Sequence, residues 1–143
     1  MLDFVELFKI IISVYPEKQE LTRDRLVKLT YLSDWRSTIV NKKQITNVKW
    51  YINNYGPYIE NMYETLKEKS FDINEGIKER KKTNEKIETE IKTIVQFIIN
   101  KTKNLNNNDF TTLVLSTFPL ATSTKYSYVD LVEKAKQYLS EEK

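Results

Sequence analysis

Trp50-Tyr51-Ile52-Asn53-Asn54-Tyr55-Gly56-Pro57-Tyr58 is the stretch on which the reading of this chain turns. Gly56 is one of only two glycines in 143 residues, and a proline follows it directly. Glycine reaches positive φ values that residues with a Cβ resist, and proline fixes its own φ at a value suited to a first helical position. The sequence therefore predicts a sharp corner at Gly56-Pro57 that opens a helix, with Tyr55 and Tyr58 flanking it. Upstream, Val48, Trp50 and Ile52 alternate with Lys49, Tyr51 and Asn53, the period of a strand within Gln44–Asn53. Downstream, Ile59, Met62, Tyr63 and Leu66 outline a short helix ending near Lys69. Phe71, Ile73 and Ile77 then alternate again, which predicts a second strand. The two strands would form a small antiparallel pair interrupted by the helix.

Working outward, the remaining segments read as helices. Leu2 to Tyr15 is apolar apart from Asp3, Glu6, Lys9 and Ser13, which fall at spacings of three and four as one narrow polar stripe. That pattern fits a helix sunk in a core, ending before Pro16. Thr22 is a candidate N-cap for a second helix carrying Leu26, Leu29, Leu32, Trp35 and Ile39 to about Val40, with Asn41 suited to a left-handed C-cap. Ile87, Ile91, Ile94, Val95 and Ile98 make a buried stripe along a helix from about Asn84 to Lys103. Phe110 to Phe118 is a shorter helix stopped by Pro119. A last helix from about Ser127 presents Tyr128, Leu131, Val132, Ala135, Tyr138 and Leu139 on one face. The expectation is one mainly α domain over residues 1–143, with about six helices and a two-stranded antiparallel element.

Composition excludes several chemistries. The chain has no histidine and no cysteine, and thus neither the commonest general base and metal ligand nor a thiolate nucleophile. With Gly56 and Gly76 alone, no glycine-rich phosphate loop can be written. The carboxylates sit among lysines at helical spacing, the habit of solvated, ion-paired faces. No enzymatic activity and no cofactor are expected. Asp3, Glu6 and Lys9 break the apolar start, so it does not read as a signal peptide, and no segment is long enough to span a membrane. A cytoplasmic protein is expected.

The densest basic run is Lys78-Glu79-Arg80-Lys81-Lys82, but acidic residues surround it and the net charge is only +3. A binder that works by counterion release concentrates more positive charge on one face, so this run reads first as a solvated turn. DNA contact by a regulator is the competing reading. Asp34, Trp35 and Arg36 sit together near the end of the second helix. An Asp34–Arg36 pair could lock that helix to the Gly-Pro corner, or Trp35 and Tyr31 could form an exposed anchor of the kind that dominates interfaces. Trp35 and Trp50 read as core by aromatic burial habits, while Tyr31, Tyr55 and Tyr58 stand between core and interface.

Two segments together resemble a known family. Arg25-Leu26-Val27-Lys28-Leu29-Thr30-Tyr31-Leu32-Ser33-Asp34-Trp35 is similar to the helix that opens the Panacea domain, the SocA-like, phage-associated family. Lys42-Lys43-Gln44-Ile45-Thr46 and Tyr55-Gly56-Pro57-Tyr58-Ile59 stand where that family has its polar linker and Tyr-Gly-Pro turn. Tyr126-Ser127-Tyr128-Val129-Asp130-Leu131 resembles its closing helix entrance more weakly. Departures are Asn41 and Lys42, where many members carry glycine, and Tyr58, where a smaller apolar residue is common. The resemblance implies an antitoxin that neutralises a toxin encoded nearby by direct protein contact, in some members with delivery to a protease. Residue chemistry places the expected recognition surface around the second helix and the Tyr-Gly-Pro corner, at Tyr31, Trp35, Arg36, Tyr55, Gly56, Pro57 and Tyr58. Nucleic acid and membrane are not expected partners. From the residue inventory, metal analysis of the purified protein should find no stoichiometric transition metal; tightly held zinc or iron would overturn the non-enzymatic reading.

Overall fold

In the computed structural model, which describes residues 1–73 and 84–141, seven α-helices and one two-stranded sheet are present among the described residues. The helices are α1 (Phe4–Val14), α2 (Arg23–Asn41), α3 (Met62–Glu68), α4 (Glu85–Thr102), α5 (Asn107–Leu115), α6 (Phe118–Ala121) and α7 (Leu131–Glu141). The sheet pairs β1 (Tyr51–Asn53) with β2 (Gly56–Tyr58). Ile77 and the basic run Lys78–Lys82 lie outside the described residues.

The mainly α expectation holds, Thr22 caps the second helix as read, and Asp3, read only as part of a polar stripe, caps the first. Asp3 caps α1 by accepting from the Glu6 amide at 3.0 Å, and Thr22 caps α2 by accepting from the Arg25 amide at 3.1 Å. Each side chain satisfies a donor that a helix start leaves without a partner. Helix α1 is sunk in the core, with Phe4 to Phe8 and Ile10 to Ile12 buried. α2 is central: it packs against α1, α4 and α7 and meets β2 along the same length. Its buried residues run almost without break from Arg25 to Trp35, as a helix covered on several sides requires. The left-handed cap falls at Lys42, with φ 63°, one residue beyond the expected Asn41.

The sheet departs from expectation. Gly56-Pro57 does not open a helix; both residues lie in β2, and α3 starts five residues after Pro57, at Met62. β2 pairs with β1, in the register Tyr51 with Tyr58, Ile52 with Pro57 and Asn53 with Gly56; Phe71 and Ile73, the described part of the expected second strand, lie in no strand. The strands are therefore a hairpin, and no helix intervenes. Asn53 braces the turn by accepting from the Tyr55 amide at 2.9 Å. Gly56 does carry a positive φ, +114°, as its sequence position suggested.

A second departure is at the C-terminal end. Residues expected to begin the last helix instead form a turn beside β1, with Tyr126 at φ 65° and Tyr128 bridged to Tyr51. Tyr126 N–H donates to the Ile52 carbonyl at 2.7 Å, Ile52 N–H to Ser127 at 3.0 Å, and Val129 N–H to Trp50 at 2.9 Å. This bridging segment covers the far edge of β1, and α7 starts only at Leu131. Pro119 does not simply stop a helix either. It sits in the first turn of α6, where its missing N–H costs nothing.

The constraint at Gly56 is conformational and not spatial, because an added Cβ would meet only Leu115 Cδ2, at 3.5 Å. Gly56→Val should therefore lower stability by about 1–3 kcal/mol, the usual cost of holding a residue in a sparsely populated backbone region. Urea unfolding would measure it, and an unchanged midpoint would contradict the assignment of Gly56 as the residue that makes the hairpin possible.

Candidate functional site

The hairpin is placed by a buried carboxylate on α2. Asp34 is fully buried, and it accepts from five donors in the segment that leads to β1. Oδ1 takes the amides of Ile45 and Thr46, both at 2.9 Å. Oδ2 takes the Thr46 hydroxyl at 2.5 Å, Trp50 Nε1 at 2.9 Å and Gln44 Nε2 at 3.3 Å. Residues 44–50 form no helix or paired strand of their own apart from a bridge between Thr46 and Leu2. Their buried donors need an outside acceptor, and Asp34 is it. Burial pushes the Asp34 carboxyl up to about 6, while the bonds from Thr46, Trp50 and Ile45 pull the other way. The expected Asp34–Arg36 pair does not form. Residues two apart on a helix point to different sides, and Arg36 lies over the Phe97 ring on α4, at 4.2 Å from its centroid.

Tyr31, one turn before Asp34, is also wholly buried. Its ring packs edge-on against Trp50 at 5.5 Å, and its hydroxyl lies 2.8 Å from Thr117 Oγ1. Thr117 donates its own hydroxyl proton to the Val114 carbonyl at 2.7 Å, so Tyr31 is the donor to Thr117. Burial raises the Tyr31 pKa and keeps it protonated. Tyr31 and Trp50 together form the floor behind the hairpin. The sequence also gave little notice of Arg25. This buried guanidinium bonds the carbonyls of Thr102 and Leu105 and the Asn107 side chain, and stacks on Phe110 at 4.3 Å, tying α2 to the α4–α5 loop.

The seven sequence-derived site residues are thus distributed over three environments. Tyr55 and Tyr58 are exposed on the hairpin, 77% and 38%, with Gly56 and Pro57 buried between them as its frame. Tyr31 is core. Trp35 is buried against Tyr138 of α7, and Arg36 is half-buried against α4. From Arg23, which reaches the hairpin, to Trp35 the helix rises about 18 Å, so Trp35 and Arg36 do not adjoin Tyr55 and Tyr58.

Residues that sequence reading did not select complete the hairpin surface. Tyr63 of α3 and Arg23 and Val27 of α2 join Tyr55, Pro57 and Tyr58 around a cavity of about 240 Å³. On the outer face of the sheet, Tyr51 packs against Tyr58 at 6.3 Å and against Tyr128 at 5.2 Å, both edge-on. Tyr126 donates to Asn54 and Tyr128 to Glu60, so both hydroxyls are anchored across the sheet. Six of the chain's nine tyrosines gather here, and Tyr55, Tyr63, Tyr126 and Tyr128 are each more than half exposed. The alternation of Tyr126 and Tyr128 with Ser127 and Val129 was the available sequence signal. Among the described residues no cluster of acidic side chains is arranged to hold a metal, and no helix is long and apolar enough to cross a membrane.

The comparison with protein families matches residues 26–117 to the antitoxin SocA-like, Panacea domain. This chain belongs to that family. No curated protein and no solved structure matches it. Membership carries a general antitoxin role. The matched stretch of this Panacea domain runs from α2 to Thr117 and includes Tyr31, the Asp34 centre and the hairpin, whereas Tyr126 and Tyr128 lie beyond it.

Asp34 generates two expectations. Asp34→Ala would strand five donors, and should cost at least about 3 kcal/mol. The pH dependence follows from a folded pKa of about 6 against 3.8 for the free side chain. A carboxyl raised on folding contributes stability that is fully present below the unfolded value and lost as pH rises through the folded one. The stability advantage of the native chain over Asp34→Asn should therefore shrink between pH 4 and pH 7, by up to about 3 kcal/mol. Urea titrations of both proteins across that range are the check, and a gap that widens with pH would contradict it.

Proposed function

We propose that this antitoxin neutralises a cognate toxin, encoded by a neighbouring gene, through direct protein contact centred on the hairpin. The observation that carries this reading is the concentration of anchored tyrosines on one exposed surface. Tyrosine supplies large contact area with few rotors to freeze, which is why it is enriched among residues that dominate interface energetics. Here neighbouring rings, Asn54 and Glu60 already hold several of these side chains in place. Little ordering remains to be done on binding, and pre-organisation of this kind turns contact into affinity. A standard interface of roughly 1,600 Å² centred there would cover both the cavity beside Arg23 and the outer sheet face.

Strand addition is a less suitable mode of contact. Ile52 spends its backbone groups on the 126–129 segment, so alternation turns those of Pro57 to the outer edge of β2. Proline has no N–H to offer an incoming strand. Recognition would therefore run through side chains, and inhibition needs no catalytic group on the antitoxin.

Two sets of variants separate recognition from support. Tyr55→Ala and Tyr58→Ala should leave thermal stability within about 0.5 kcal/mol of native and weaken toxin binding by about 2 kcal/mol each. Tyr31→Ala should instead destabilise the fold by about 3–5 kcal/mol, as loss of a buried aromatic does. Co-expression with the neighbouring gene's product, with calorimetry on the purified pair, provides both readouts. Full rescue and unchanged affinity in the Tyr55 and Tyr58 variants would move the surface elsewhere, and failure to bind any neighbouring gene product would remove the toxin reading for this chain.

A further inference from the structure

The outer sheet face has a specific chemical vacancy. Alternation along the β1 segment places Lys49, Tyr51 and Asn53 on that face; the register sets Tyr58 beside Tyr51, the bridge sets Tyr128 on its other side, the Tyr128 hydroxyl holds Glu60 there, and Asp130 follows two residues after Tyr128. Its charges are thus one lysine against two carboxylates. Asp130 is committed to capping, since it accepts from the Glu133 amide at 3.0 Å. Glu60 is exposed and held by the Tyr128 hydroxyl, and among the described residues no lysine or arginine lies within ion-pair distance of it.

Ring faces elsewhere in this molecule are used differently. Arg25 lies over Phe110, Arg36 over Phe97 and Arg23 over Tyr63, at 4.3, 4.2 and 5.9 Å. Among the described residues the Tyr51, Tyr58 and Tyr128 rings carry no such cation. Three electron-rich rings set edge to face, with a carboxylate at their border that no cation neutralises among the described residues, make the arrangement that receives a cation from outside.

We propose that the Tyr51–Tyr58–Tyr128 face seats an arginine-bearing segment of the protein partner, its guanidinium over the rings and hydrogen-bonded to Glu60. Arginine suits the site better than lysine, because its planar head stacks on a ring while its edge donates in a fork to a carboxylate. The inference rests on the toxin-binding reading for the identity of the partner, and adds the chemistry that is recognised. It also assigns a specificity role to Tyr128, which lies outside the stretch matching the family.

The test uses the full-length protein with tyrosine rings isotopically labelled, titrated with the peptide acetyl-Gly-Arg-Gly-Arg-Gly-amide and with its citrulline counterpart, which keeps shape and loses charge. Saturable shifts on Tyr51, Tyr58 and Tyr128 with the arginine peptide, at least about tenfold weaker in Glu60→Gln, are expected. Shifts that the citrulline peptide reproduces, or none on these rings, would overturn the proposal. So would ring shifts that depend on protein concentration alone, which would make a second copy the occupant, or equal shifts with an oligonucleotide. The purified toxin supplies the second arm: Glu60→Lys should weaken its binding by more than Glu60→Gln does. A toxin that binds both variants like the native protein sinks the arginine seat while leaving the antitoxin reading intact. If no toxin binds at all, the antitoxin reading fails, and the peptide titration still decides whether the face takes arginine.

Discussion

One carboxylate in the middle of α2 organises everything on the recognition side of this molecule. The polypeptide between α2 and β1 has no regular ladder to absorb its polar groups, yet it runs through the interior. Asp34 gives that segment an acceptor for two amides, a hydroxyl, an indole and a carboxamide at once. Trp50 is thereby set at a defined depth and angle, with Tyr31 against its face. The position of Trp50 sets where β1 begins, and β1 carries both the hairpin and the docking edge for the 126–129 segment. Burying a charge to do this is costly, and the raised pKa of Asp34 records the cost. The return is a loop with one conformation, and a surface whose side chains are already in place.

The helices were legible because their signals are local. Apolar stripes, the Thr22 cap and the polar stripe on α1 each depend on residues within a turn or two of one another. The failure at Gly56-Pro57 has an equally plain cause. A glycine with positive φ followed by a residue held near −65° suits a helix entrance and a hairpin strand alike. What decides between them is whether β1 is in place to pair with, and the opposite edge of β1 is held by Ser127 and its neighbours about 75 residues away. The burial of Tyr31 is non-local in the same way, because its hydroxyl partner is Thr117.

Asp34 and Arg36 illustrate a different kind of miss. Opposite charges near each other in sequence invite pairing, but the geometry of a helix already separates positions two apart, so this much was available from the chain alone. The actual partners of Asp34 are mostly backbone amides and an indole, groups that carry no charge and leave no mark in a reading of motifs. For the surface, the two tyrosines at the Gly-Pro corner were found and the four around them were not. Tyr51 read as one arm of a strand and Tyr128 as one face of a helix, and only their common edge on β1 shows them to be neighbours.

The bridging 126–129 segment has a temporal consequence. β1 and the 126–129 segment are far apart in the order of synthesis, and the tyrosine face is incomplete until both have left the ribosome. At about 5–20 residues per second, roughly 4–15 s separate the emergence of the hairpin from that of the segment that finishes it. During that interval the nascent chain carries the family's corner but lacks its own outer wall. A partner made at the same time would meet a half-built surface first, so the order in which the two chains are translated becomes a variable in how soon neutralisation begins.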